Sequence, residues 1–130
     1  MSNQVNQIMI YLFRGKRLDN NEWEYGSIFH YADRVWITCG MFFSGDNKEI
    51  VHIDRFEVDP KTVRMYTGHI DKNGKEIFEG DKVILDNTEM EIQWYVTNSR
   101  FLFRNRARNA YHDVTVEACF KCEVIGTIHD

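Results

Sequence analysis

The stretch Tyr66 to Leu85, YTGHIDKNGKEIFEGDKVIL, constrains the fold most, because it holds three of the eight glycines and alternates turn residues with short apolar runs. The chain must therefore reverse tightly here. A two-residue Asn73-Gly74 loop would set Lys72 opposite Lys75 and Asp71 opposite Glu76, two unfavourable like-charge pairs. A three-residue loop removes both. With Asp71 opening a type I turn and Gly74 in the left-handed position of a bulge, Asp71 faces Lys75. A second turn at Glu79-Gly80-Asp81 leads into Lys82-Val83-Ile84-Leu85, whose β-branched residues predict a strand. The charges of this stretch are expected to face solvent or to pair across strands.

The rest of the chain reads as more short strands. Ile8 to Phe13 is a uniformly apolar strand, buried on both faces or paired with a partner subunit. Leu18 to Glu22 is a hairpin turn, and Trp23 to Tyr31 is a long strand. Its odd positions Trp23, Tyr25, Phe29 and Tyr31 form an aromatic face, expected in the core with an exposed interface stripe as the rival. Arg34 to Thr38 is a strand. Cys39 to Asn47 is expected to be a loop because it holds Gly40 and Gly45, and Met41, Phe42 and Phe43 make it apolar enough to be a contact site. Glu49 to Arg55 is a half-buried strand. Asp59-Pro60-Lys61-Thr62 predicts one helical turn, capped by Asp59 with Pro60 in first position.

Beyond Leu85, turns at Asp86-Asn87-Thr88 and Thr97-Asn98-Ser99 separate strands Met90 to Val96 and Arg100 to Arg104. Tyr111 to Phe120 is open between strand and irregular linker. Glu123 to Ile128 is a strand, with Gly126 marking a bulge or close backbone approach. The expected class is all-β with one or two short helical turns, a small SH3-like or barrel-like fold of antiparallel strands and hairpins.

The sequence TGHIDKNGKEIFEGDKV resembles the signature of the YopX-like proteins of phages and prophages. Phe13 to Arg17 with Trp23 and Gly26, then Phe56 to Pro60 with Thr62-Val63, then Glu123 to Ile128, are similar to that family's opening, middle and ending. The resemblance implies a mostly β fold with a barrel-like part and self-association, and it carries over no catalytic residues. Residues 30 to 55 and 86 to 120 match no family pattern.

At 130 residues the chain is expected to form a single domain, with an N-terminal β subdomain over 1–60 and a barrel-like part over 61–130. Its 43% apolar residues are enough for a core without metal or disulfides, and a net charge of −4 argues against wholesale attraction to nucleic acid or anionic membrane. The start lacks a basic leader and a spanning apolar run, and three cysteines suit a reducing compartment, so a cytoplasmic location in the bacterial host is expected.

No motif announces catalysis. There is no HExxH, GxSxG or phosphate-binding glycine loop. Cys119-Phe120-Lys121-Cys122 has zinc-knuckle spacing but lacks a second ligand pair, and in an extended chain its sulfurs would point to opposite faces. No metal or other cofactor is expected. The most functional stretch is Arg100 to Arg108, where an extended chain would project Arg100, Arg104, Arg106 and Arg108 to one side and Phe101 and Phe103 to the other. Such a row suits an acidic protein surface or, less well at this net charge, a phosphate backbone. The expectation is therefore a non-enzymatic, self-associating phage protein. It would bind a host or phage protein through Met41, Phe42, Phe43 and the arginines, and so act against a host defence, with nucleic-acid binding as the alternative.

Overall fold

The computed structural model describes residues 12–44 and 49–130, with backbone alone for 39–44 and 49–53. The chain is all-β and divides into two compact units, Met1–Val63 and Arg64–Asp130.

In the first unit, strands Phe13–Lys16 (β1), Trp23–Tyr31 (β2), Arg34–Ser44 (β3) and Glu49–Val58 (β4) pair antiparallel in the order β4-β3-β2-β1. Alternate side chains point inward, so Val35, Ile37 and Val58 form a buried core against Phe13, Ile28 and Val63. Each fully buried aliphatic contributes roughly 1.5–3 kcal/mol relative to exposure. Gly26 permits the close β2–β3 approach, because a Cβ there would lie 2.2 Å from the Thr38 carbonyl oxygen.

The Asp59 cap is present as predicted. Its carboxylate accepts from the Lys61 N–H at 3.0 Å, and Pro60–Thr62 forms a 3-10 turn. The Thr62 hydroxyl donates to the Asp59 carbonyl at 2.7 Å and accepts from the Lys16 N–H at 2.8 Å, tying β1 to the turn.

Two expectations for this unit are corrected. Cys39 to Ser44 is strand, not loop, because Gly40 lies at a bulge in the β3–β4 register rather than at a chain reversal. Residues 45–47 of that expected loop lie outside the described residues, as do the side chains of Met41, Phe42 and Phe43 and most of the expected strand Ile8 to Phe13. The aromatic face is not core throughout, since Trp23 and Tyr25 are half-buried while Phe29 and Tyr31 are exposed.

The second unit contains a hairpin, Arg64–Ile70 (β5) and Glu76–Phe78 (β6), and a five-stranded antiparallel sheet. Its strands are Asp81–Leu85 (β7), Thr88–Tyr95 (β8), Arg100–Asn105 (β9), Ala110–Asp113 (β10) and Glu123–Thr127 (β11), in the order β10-β9-β8-β7-β11. Ile77, Val83, Met90, Ile92 and Phe103 are buried in its core with Cys119 and Cys122.

The β5–β6 turn is the three-residue loop predicted from charge pairing. The Gly74 N–H donates to the Asp71 carbonyl at 3.0 Å, the Asp71 N–H donates to the Lys75 carbonyl at 2.8 Å, and Gly74 has φ +80°. Asp71, expected to face outward or pair across the strands, is instead 2% exposed. Its carboxylate accepts from the N–H groups of Asn73 at 2.8 Å, Lys75 at 2.9 Å and Val124 at 2.9 Å. Asp81 is likewise buried, and accepts from the Phe78 N–H at 2.8 Å.

The segment left open between strand and linker resolves into β10 and then a helix, Val116–Lys121 (α1). The β-branched Val114-Thr115-Val116 run suggested strand, but the Thr115 hydroxyl accepts from the Ala118 N–H at 3.1 Å and caps the helix. The bulge expected at Gly126 is present between Val124 and Gly126.

Candidate binding surfaces

The outer face of the first unit carries rings and guanidiniums side by side, because the β2–β3 register sets Phe29 opposite Trp36 and Tyr31 opposite Arg34. Phe29 stacks on Trp36 with centroids 5.1 Å apart and planes 12° apart. The Arg34 guanidinium lies 5.0 Å from the Trp36 ring centroid. It is held there by Glu57, with Nε to Oε2 at 3.0 Å and Nη2 to Oε1 at 2.6 Å. The hydrogen bond from Arg34 lowers the Glu57 pKa, and the same contact raises that of Arg34. Tyr31 is 74% exposed, and Arg55 completes a recess of about 280 Å³ with these residues. Arg55 itself has no side-chain partner among the described residues.

The second unit holds the predicted arginine row, and the chain does not remain extended along it. Strand β9 ends at Asn105, and residues 106–109 turn with Asn109 at φ +49°. The phenylalanine side of the prediction holds, for Phe103 is fully buried and Phe101 packs against the core. Arg100 Nη2 lies 3.3 Å from Asp113 Oδ1. Arg104 lies 4.6 Å from the Tyr111 ring centroid and donates to Asn109 Oδ1 at 3.2 Å. Arg106 donates through Nε and Nη2 to Glu91 Oε1, each at 3.3 Å.

Arg108 is exposed, with no side-chain partner among the described residues. The strand registers place Lys82, Glu91, Arg104 and Tyr111 in one line across β7, β8, β9 and β10. Sequence spacing misses this transverse ladder, because its members come from four strands. A recess of about 430 Å³ lies beside Lys82, Glu91, Arg104 and Arg106. Another, of about 540 Å³, is walled by Trp94 and Phe101 and edged by His69, Arg100 and Asp113.

The two cysteines of the CxxC spacing do not point to opposite faces of an extended chain. Both are buried in one core cluster, at the end of α1 and its cap. Burial pushes the Cys119 thiol up to about 11. Burial, then the nearby Cys119, Asp71 and Asp81, pushes Cys122 up to about 12. Such thiols stay protonated and are poor nucleophiles and metal ligands. Among the described residues no group of three or more His, Cys, Asp or Glu side chains is placed to hold a metal ion. No helix among them is long and apolar enough to cross a membrane.

Fold and surfaces together define a small all-β protein of two antiparallel units, with its exposed features on sheet faces, an interstrand turn and a short helix. The family model described as YopX protein matches residues 12–130. The chain therefore belongs to the YopX family. A search of curated proteins gives no match.

Proposed function

We propose that this protein acts by binding rather than by catalysis, self-associating and docking onto a host or phage protein in the bacterial cytoplasm, where it counters a host defence. One observation carries the reading. The segment from α1 into β11 presents Val116 and Phe120, each 54% exposed, and Ile125, 48% exposed, with β11 the outermost strand of its sheet. Val116 and Phe120 are four residues apart, on one face of the helix. Large apolar side chains on a helix face and an outer strand support association with another chain. A partner with an acidic surface would meet Arg108 at the exposed turn after β9, and would compete with Glu91 for Arg106. The alternative, nucleic acid along Arg100 to Arg108, is less favoured because Arg100, Arg104 and Arg106 have intramolecular partners.

Light scattering on the wild type and a Phe120→Asp, Ile125→Asp variant tests the self-association. The expected result is an oligomer converted to a monomer, and a monomeric wild type overturns it. Affinity capture from host lysate with wild type and an Arg106→Glu, Arg108→Glu variant tests the partner. A specific protein lost with the variant supports the reading, whereas no specific protein with either form removes it.

A further inference from the structure

The outer face of the first unit plays no part in that proposed association and has a chemistry of its own. Its recess is lined by Phe29, Tyr31, Arg34, Trp36 and Arg55, three rings and two guanidiniums. The Glu57 carboxylate beside them is held by Arg34. We propose that this face binds single-stranded nucleic acid, stacking bases against Tyr31 and against Phe29 backed by Trp36, and seating a phosphate on Arg55.

Three features lead to this occupant. The Phe29–Trp36 pair is a preformed parallel stack at 12°, the geometry a base extends by adding one more plane. Tyr31 stands 74% exposed next to it, a large ring with a free surface. The charge is complementary to a phosphate chain but small. Arg34 is neutralised by Glu57 and serves as a planar wall over Trp36, which leaves Arg55, among the described residues, as the free cation of the recess. Duplex DNA hides its base faces and is held chiefly through many phosphate contacts, so a site with one free cation among its described residues discriminates against it. Affinity should come from the rings and depend weakly on salt, with a slope of about −0.7 in log K against log salt for one phosphate on a single strand.

Fluorescence anisotropy of the full chain with a labelled oligodeoxythymidylate, and with a duplex of equal length, tests this at two salt concentrations. The single strand should bind and the duplex should bind at least about tenfold more weakly. Tyr31→Ala and Trp36→Ala should each weaken binding by about 5- to 150-fold, the range expected for one lost stacking contact. Tyr31→Phe should retain the affinity, and Arg55→Ala should flatten the salt slope. Tyr31 is exposed enough that its removal leaves the fold intact, so this variant separates a lost platform from a lost structure.

Absence of saturable single-strand binding, equal affinity for the duplex, or indifference to Tyr31→Ala overturns the proposal. Loss of a bound protein in these variants, with no oligonucleotide binding by the wild type, also overturns it and assigns the face to a protein partner.

Discussion

The carboxylate of Asp71 accepts a hydrogen bond from the backbone N–H of Val124 at 2.9 Å, across 53 positions of sequence. The turn residue that organises the β5–β6 loop thus also anchors β11. Burial raises the Asp71 pKa, but the N–H groups of Val124, Lys75 and Asn73 together outweigh it and hold the carboxyl below its ordinary value of 3.8.

Asp71→Ala should therefore destabilise the protein by about 3 kcal/mol, because it leaves buried donors without an acceptor. Urea unfolding at neutral pH measures this. Since folding lowers the pKa, the stabilisation is fully present above the unfolded value of 3.8 and is lost as pH falls through the lower folded value. The stability gap between wild type and Asp71→Ala should narrow below that pH. A gap that stays constant down to pH 2 would show that the charged carboxylate is not what matters.

At the β2–β3 turn Ala32 has φ +55°, a conformation that disfavours a side chain. Ala32→Gly should raise stability by about 0.5–1 kcal/mol. A thermal melt reads the gain, and a lower midpoint would contradict it.

Gly26→Ala should do the opposite. The added carbon would lie 2.2 Å from the Thr38 carbonyl oxygen, so β2 and β3 would have to separate. A loss of about 3 kcal/mol or more is expected in denaturant unfolding. A neutral effect would mean that the two strands are not held this closely.

Cys119 and Cys122, with thiols pushed up to about 11 and 12, should resist alkylation in the folded protein at pH 8 and react once it is unfolded. Peptide mapping after brief iodoacetamide treatment distinguishes them. Modification of either in the native protein at the rate of a free thiol would count against their burial.

Much of the scaffold was legible from local chemistry. The β5–β6 loop followed from which charges would face each other, and the Asp59–Pro60 turn from the demands of a helix start. The helix at Val116 was not legible, because β-branched residues disguised a segment whose conformation depends on the Thr115 cap. The strand through Met41 to Phe43 was missed because a glycine at a bulge and a glycine at a turn look alike in sequence. The binding surfaces were less legible still. The arginine row presumed an extended chain past Asn105, and the pairing of Phe29 with Trp36 depends on a register that no single strand encodes.

The antiparallel pairing of β7 with β11 joins Ile84 to Glu123 and Asp81 to Thr127, bridging segments separated by most of the second unit. The four strands β1–β4 of the first unit all lie between Phe13 and Val58. During synthesis the first unit can therefore assemble while later codons are still being read. The second must wait for residues 123–127 to leave the ribosome before its five strands close, which makes it the slower and more exposed half of the nascent chain.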